Sequence, residues 1–210
     1  LILRDPLTSV NGEALDDSGL VRLHGILHLH GFQHQQAIAF GNFLIKQVVQ
    51  ELSRELPQLK NFVTLSPVPG FAEWLATQRR SGAVTLPEAL EQQLEEGTLT
   101  QHDTPSAHQK ALLRLVAYYL TEVKHKSGQP LNQVARFHLG NGASLHRLNW
   151  PADTSPKGWQ QAHGVMVNYL YQLNRIEQNH EAFSQQQSVV CTSDIRRLAS
   201  QAQHYMTVEA

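Results

Sequence analysis

The hydrophobic pattern of this chain keeps changing period, between two and about 3.6, and proline or glycine stands at most of the changes. Such a chain must build both strands and helices. From Leu20 to Phe32, Val21, Leu23, Leu27 and Leu29 alternate with Arg22, His24, His28 and His30, which predicts a half-buried strand. Beyond Gly31 the residues Ala37, Ile38, Phe40, Phe43, Leu44, Ile45, Val48, Val49 and Leu52 take helical spacing until Pro57 forbids continuation. Asn61 to Leu65 predicts a short buried strand. Ser66-Pro67-Val68-Pro69-Gly70 behind it can be neither helix nor ladder, so Ser66 stands at a strand's end.

The pattern predicts helices over Phe71 to Gln78 and over Pro87 to Glu96, the latter closed by Gly97. A longer one is expected to be capped by Thr104, with Pro105 in its first turn, and to run through Leu112, Leu113, Leu115, Val116, Tyr119 and Leu120. Ser127-Gly128-Gln129-Pro130 stops it. Val134, Arg136 and His138 then alternate with Ala135, Phe137 and Leu139, Gly140-Asn141-Gly142 tolerates positive φ, and Ser144 to Trp150 reads as the returning strand of a hairpin. From Gly164, the residues Val165, Met166, Tyr169, Leu170 and Leu173 predict a last long helix, while Gln178 to Gln187 is too polar for assignment. No repeat or linker divides the chain, so residues 1–210 are expected to form a single domain.

Composition excludes several function classes. Seventeen basic and eighteen acidic residues leave a formal charge of -1, which creates no field selecting nucleic acid or an anionic membrane. The lone Cys191 rules out an intrachain disulfide framework and any cysteine-based zinc cage. No apolar run approaches the roughly 18 to 20 residues that a membrane-spanning helix needs. The opening Leu1-Ile2-Leu3-Arg4-Asp5-Pro6 has neither an initiator methionine nor a signal-peptide layout, so the chain reads as a domain cut from something longer. Met206 to Ala210 carries no peroxisomal address, which makes the cytoplasm the default expectation.

Two places could carry chemistry. The loop Gln33 to Asn42 runs from a predicted strand into a predicted helix, a layout that aims free backbone N–H groups at phosphate. Gly41 permits close backbone approach, and Gln36 and Asn42 add polar contacts; ordinary packing or capping is the competing reading. The second place pairs Ser66 with His138, provided the two elements that bear them converge on one cleft. His24, His28, His30 and His34 suggest a metal cluster at first sight. His28 and His30 share a strand face about 7 Å apart, while His24 and His34 lie well beyond a metal's reach unless the chain bends, and no carboxylate accompanies them, so no metal site is expected. Glu91 to Glu96 reads as a solvated helix face, and Tyr118, Tyr119 and Trp150 as packing residues.

Several motifs in one order resemble a known family. Phe40-Gly41-Asn42-Phe43-Leu44-Ile45-Lys46, Leu65-Ser66-Pro67-Val68-Pro69-Gly70-Phe71, Arg136-Phe137-His138-Leu139-Gly140-Asn141-Gly142-Ala143 and Arg147-Leu148-Asn149-Trp150 followed by Ala152-Asp153 are similar to malonyl-CoA decarboxylase. Lys157-Gly158, Gly164 and Met166-Val167-Asn168-Tyr169-Leu170-Tyr171 extend the match, which runs from about Phe40 to Leu173. The resemblance implies the family's C-terminal catalytic domain, an α/β (α+β) acyl-CoA-binding fold like that of the GNAT acetyltransferases, with a mixed β-sheet flanked by helices. It also implies that the family's N-terminal helical oligomerisation domain is absent from this chain. Carried over residue by residue, it assigns catalysis to Ser66, His138 and Tyr171. Malonyl-CoA binding falls on Gln36, Ala37, Ile38, Ala39, Phe40, Gly41 and Asn42 together with Ser66 and His138. The loop departs from the family at His34 and Ala37, where glycines are common, and at Ala39, where some members carry Glu.

The implied reaction takes malonyl-CoA to acetyl-CoA and CO2 and belongs to fatty acid metabolism. Electrons left by CO2 settle on the thioester oxygen as an enolate, so no metal or organic cofactor is required, coenzyme A being part of the substrate. Preplaced backbone N–H groups would stabilise that oxyanion by about 3 to 4 kcal/mol per donor. Ser66 would orient the carboxylate or relay a proton. His138, as imidazolium or through Ser66, would protonate the carbanion equivalent. The alternatives are a GNAT-type acyltransferase and a non-catalytic acyl-CoA sensor subunit. The expected partner is the small-molecule substrate, without nucleic acid or membrane, and a homo-oligomer is compatible with the resemblance.

Overall fold

The computed structural model describes residues 9–10, 13–14, 48–59, 61–99 and 104–207. The expected strand over Leu20 to Phe32, most of the helix after it, the loop Gln33 to Asn42 and the histidines His24, His28, His30 and His34 lie outside the described residues. Strands β1 (Ser9–Val10) and β2 (Glu13–Ala14) pair antiparallel, with Val10 opposite Glu13. Residues 48–55 form helix α1. There follow β3 (Phe62–Pro67), α2 (Phe71–Arg80), α3 (Glu88–Glu96), α4 (Ser106–Thr121), α5 (Gln133–Gly140), β4 (Ser144–Asn149), α6 (Pro156–Ala162), β5 (Met166–Tyr171), α7 (Ile176–Gln186) and α8 (Ser193–Ala202). Strands β3, β5 and β4 form a sheet in that order, and the α/β class with helices flanking a sheet is as expected.

The chain divides into two compact units, one of Leu1–Ser66, Phe137–His146 and Asn168–Val190, the other of Pro67–Arg136, Arg147–Val167 and Cys191–Ala210. In the second unit α4 packs against α8. Leu112, Leu115, Val116, Tyr119 and Leu120 on α4, and Ile195, Ala199 and Ala202 on α8, are buried at the three- and four-residue spacing of one helix face. Each fully buried leucine contributes about 1.5 to 3 kcal/mol. Arg114 adds hydrogen bonds to Gln201 and to the Tyr205 hydroxyl, at 3.1 and 3.2 Å. Phe71, Trp74 and Tyr119 form an aromatic cluster in the same unit, with centroids 5.3 to 6.0 Å apart. Glu91 is not simply solvated, because its carboxylate pairs with Arg79 at 2.6 Å.

Four expectations need correction. Strand β3 runs on through Pro67, and the N-cap of α4 is Pro105 rather than Thr104. The segment Val134 to Leu139 is not a hairpin strand but helix α5. Asn132 Oδ1 accepts from the Ala135 N–H at 2.8 Å, satisfying a free donor of its first turn. At its other end the Ala143 N–H reaches the His138 carbonyl and the Gly142 N–H reaches that of Leu139, with Gly142 at φ 79°. That is a Schellman stop, so the Gly-Asn-Gly triplet ends a helix instead of turning a hairpin. Conversely, Met166 to Tyr171 is a strand and not a helix: all six residues are buried, so neither face shows the polar alternation that marks a strand in sequence.

The segment Gln178 to Gln187 falls largely within α7, and its polar side chains have work to do. Asn179 Nδ2 donates to the Gly142 carbonyl at 3.1 Å, and His180 Nδ1 lies 2.7 Å from the Gly140 carbonyl oxygen. These carbonyls lie at and just beyond the end of α5, where no further helical turn exists to satisfy them. Within the first unit α7 therefore holds the stretch that carries His138. No helix among the described residues is long and apolar enough to cross a membrane.

Candidate active site

Strand geometry sets the first part of the site. Thr64 and Ser66 are two apart on β3 and share a face, with their hydroxyl oxygens 3.2 Å from each other. Helix α5 supplies the second part. Its buried face carries Ala135, His138 and Leu139, which are 0, 7 and 1% exposed. Strand β5 supplies the third, since Tyr169 and Tyr171 are again two apart and lie on one face.

These elements converge in the first compact unit. Ser66 Oγ is 3.0 Å from His138 Nε2, and His138 Nδ1 is 2.7 Å from the Tyr171 hydroxyl. Four side chains thus form one hydrogen-bonded line, Thr64–Ser66–His138–Tyr171. Ser66 is 6% and Tyr171 1% exposed. The imidazole is also lined by rings, with Tyr169 stacked against it and Phe137 and Tyr171 edge-on.

Burial sets the charge state of the line. Desolvation of the cation lowers the His138 pKa to about 3, so the imidazole is neutral near pH 7. The same cause raises the Tyr171 pKa, which keeps that residue a phenol. A neutral imidazole has one N–H and one lone-pair nitrogen, so the line conducts in one sense at a time. At that pKa the imidazolium form of His138 is a minor species near pH 7.

The structure brings together Ser66, His138 and Tyr171, with His138 on a helix where a strand was expected and Tyr171 on a strand where a helix was expected. Gln36, Ala37, Ile38, Ala39, Phe40, Gly41 and Asn42 lie outside the described residues. Sequence reasoning missed Thr64 and Tyr169. Each stands two residues from a named candidate, so recognising both strands would have placed them on the same faces. Among the described residues no group of three or more His, Cys, Asp or Glu side chains is placed to hold a metal ion.

Comparison with known proteins bears on this arrangement. A family model described as the malonyl-CoA decarboxylase C-terminal domain matches residues 31–209. The mitochondrial malonyl-CoA decarboxylase of Anser anser anser is 36% identical over 81% of this chain and 38% of its own length. That of Mus musculus is 37% identical over 82% and 39%. The crystal structure of malonyl-CoA decarboxylase from Rhodopseudomonas palustris superposes with a TM-score of 0.70 at 47% identity, covering 80% of this chain and 40% of that one. The enzyme from Agrobacterium vitis gives 0.68 at 45% identity, covering 81% and 42%. The chain thus spans about two fifths of the length of these relatives.

Proposed function

The chain belongs to the malonyl-CoA decarboxylase family, and from that premise we propose that it converts malonyl-CoA to acetyl-CoA and CO2 with Ser66, His138 and Tyr171 as its catalytic side chains. The observation that carries the proposal is the buried line of contacts at 3.0 and 2.7 Å through the two nitrogens of one neutral imidazole.

The carbon–carbon bond to the carboxylate breaks, its electron pair moves into the thioester as an enolate, and CO2 leaves. The thioester accepts these electrons itself, so the reading involves no metal or organic cofactor. The enolate carbon then needs one proton. Tyr171, held as a phenol, donates to Nδ1; this fixes the tautomer in which Nε2–H donates to Ser66 Oγ. The Ser66 hydroxyl proton is then available to the substrate carbon. As it transfers, Nε2–H holds the Ser66 oxygen by its hydrogen bond while the imidazole and the phenol keep their protons, and a solvent proton restores the Ser66 hydroxyl. The sum consumes one proton per turnover, as the overall reaction requires. Such positioned proton transfer contributes about 10² to 10⁴-fold.

Gln36 to Asn42 would hold the coenzyme A diphosphate, in a single GNAT-like domain over residues 1–210. The reading puts the protein in the cytoplasm, with malonyl-CoA as partner and without nucleic acid or membrane, and is compatible with a homo-oligomer.

The test is incubation with carboxyl-labelled malonyl-CoA, with trapped CO2 compared against methylmalonyl-CoA and free malonate. Release from the CoA esters in preference to the free acid supports the reading. Acyl transfer to an added amine without CO2 favours the acyltransferase, and coenzyme A binding without turnover favours the sensor; either result overturns the proposal.

A further inference from the structure

Hydrogen bonds at both nitrogens leave the imidazole of His138 one loose degree of freedom. Such bonds set atom-to-atom distances but tolerate a tilt of the ring out of plane, because acceptor geometry is broad. A flat ring in van der Waals contact does not tolerate it. Tyr169 presents such a ring, with its centroid 4.3 Å from that of His138 and the two planes 20° apart. It is 0% exposed and fixed by its strand, whereas Phe137 meets the imidazole edge-on at 5.1 Å and 79°. A parallel face on one side and an edge on another define the plane that two hydrogen bonds alone do not.

Building on the decarboxylase reading above, we propose that Tyr169 is a positioning residue for the reaction, its ring clamping the imidazole plane so that Ser66 Oγ and Tyr171 Oη are engaged at the same time. The clamp is a property of the ring face, which Tyr169→Phe retains. Strand alternation explains why this residue can serve: Tyr169 and Tyr171 project from the same face of β5, so one strand supplies both the flat support and the Nδ1 partner.

The experiment compares Tyr169→Phe, Tyr169→Leu and Tyr169→Met in the whole chain, with two readouts. In turnover of malonyl-CoA, Tyr169→Phe keeps the parent kcat. The Leu and Met variants lower it about 10²-fold, the effect of a roughly 1 Å misplacement, with KM altered less than about twofold. The second readout needs no substrate: nitrogen-15 spectra of His138 show two well-separated ring signals of one neutral tautomer in the parent and Tyr169→Phe, and signals drawn toward a common average in the Leu and Met variants. If the Leu variant does not fold, the comparison of Phe with Met decides. A Phe variant as impaired as Leu and Met overturns the clamp, as do Leu and Met variants that keep the parent kcat and separated signals. Absence of CO2 release by the parent overturns the decarboxylase reading instead, and the spectra still decide whether the ring is held.

Discussion

Ser66 and His138, separated by 72 residues in the chain, meet with Oγ and Nε2 3.0 Å apart. A contact of that span stands on the elements bearing each residue, β3 and α5, and it sets the first prediction. Ser66→Ala and His138→Asn each lower CO2 release from malonyl-CoA by about 10² to 10⁴-fold while circular dichroism stays that of the parent. Parent rates in both variants would remove the pair from the mechanism.

Tyr171 is the partner of Nδ1, at 2.7 Å, and is itself buried. Tyr171→Phe leaves that nitrogen without its hydroxyl, a loss typically costing about 1 to 3 kcal/mol. If the cost falls in the transition state, kcat drops by about tenfold or more. The measurement is steady-state kcat for the single variant and for the double variant with His138→Asn. The tyrosine change should matter little once the imidazole is gone, and additive losses would contradict a shared line.

Acid stability follows from the buried histidines. Burial lowers His138 to about 3, and burial together with the Arg79 cation lowers His163 to about 4, against an ordinary value of about 6.5. Below about pH 6.5 the unfolded chain binds protons that the folded chain refuses, so stability is complete above that pH and falls as pH drops toward the folded values. Each histidine contributes a slope of about 1.4 kcal/mol per pH unit within its window. Urea unfolding of the parent and of His138→Gln between pH 7 and pH 4.5 should differ in slope by about one proton; equal slopes would contradict a neutral buried imidazole.

Gly142 ends the helix that carries His138. A Cβ there would lie 2.2 Å from the Ile176 carbonyl oxygen, at a φ of +79°. Gly142→Ala therefore destabilises the chain by about 2 to 3 kcal/mol and impairs turnover in whatever remains folded. Thermal unfolding reads the first effect and CO2 release the second. A variant as stable as the parent would contradict this closure of α5.

The helices α2, α3 and α4 were legible because they obey local rules, with proline before the start and apolar residues at helical spacing. Strand β3 was legible as a short apolar run closed by prolines. The two elements assigned the wrong type, α5 and β5, were misread for definite physical causes. In α5 the residues Val134 to Leu139 happen to alternate, and Gly140-Asn141-Gly142 suits a hairpin turn as well as a Schellman stop; what decided between them was Asn132 capping one end and α7 receiving the other. In β5 burial on both faces erased the alternation, leaving apolar spacing that fits a helix equally well.

Chemistry was written into residue types and local motifs. A serine between a strand and two prolines and a histidine in Arg136 to Ala143 could be named from the residues, and a tyrosine at the end of Met166 to Tyr171 from the family resemblance alone. Their meeting could not be, because contacts across 33 and 72 residues depend on which faces the elements bury. The charge of His138 was equally out of reach: its neutrality comes from exclusion of water by the assembled rings and strands, a property of the packed interior and of no single stretch of chain.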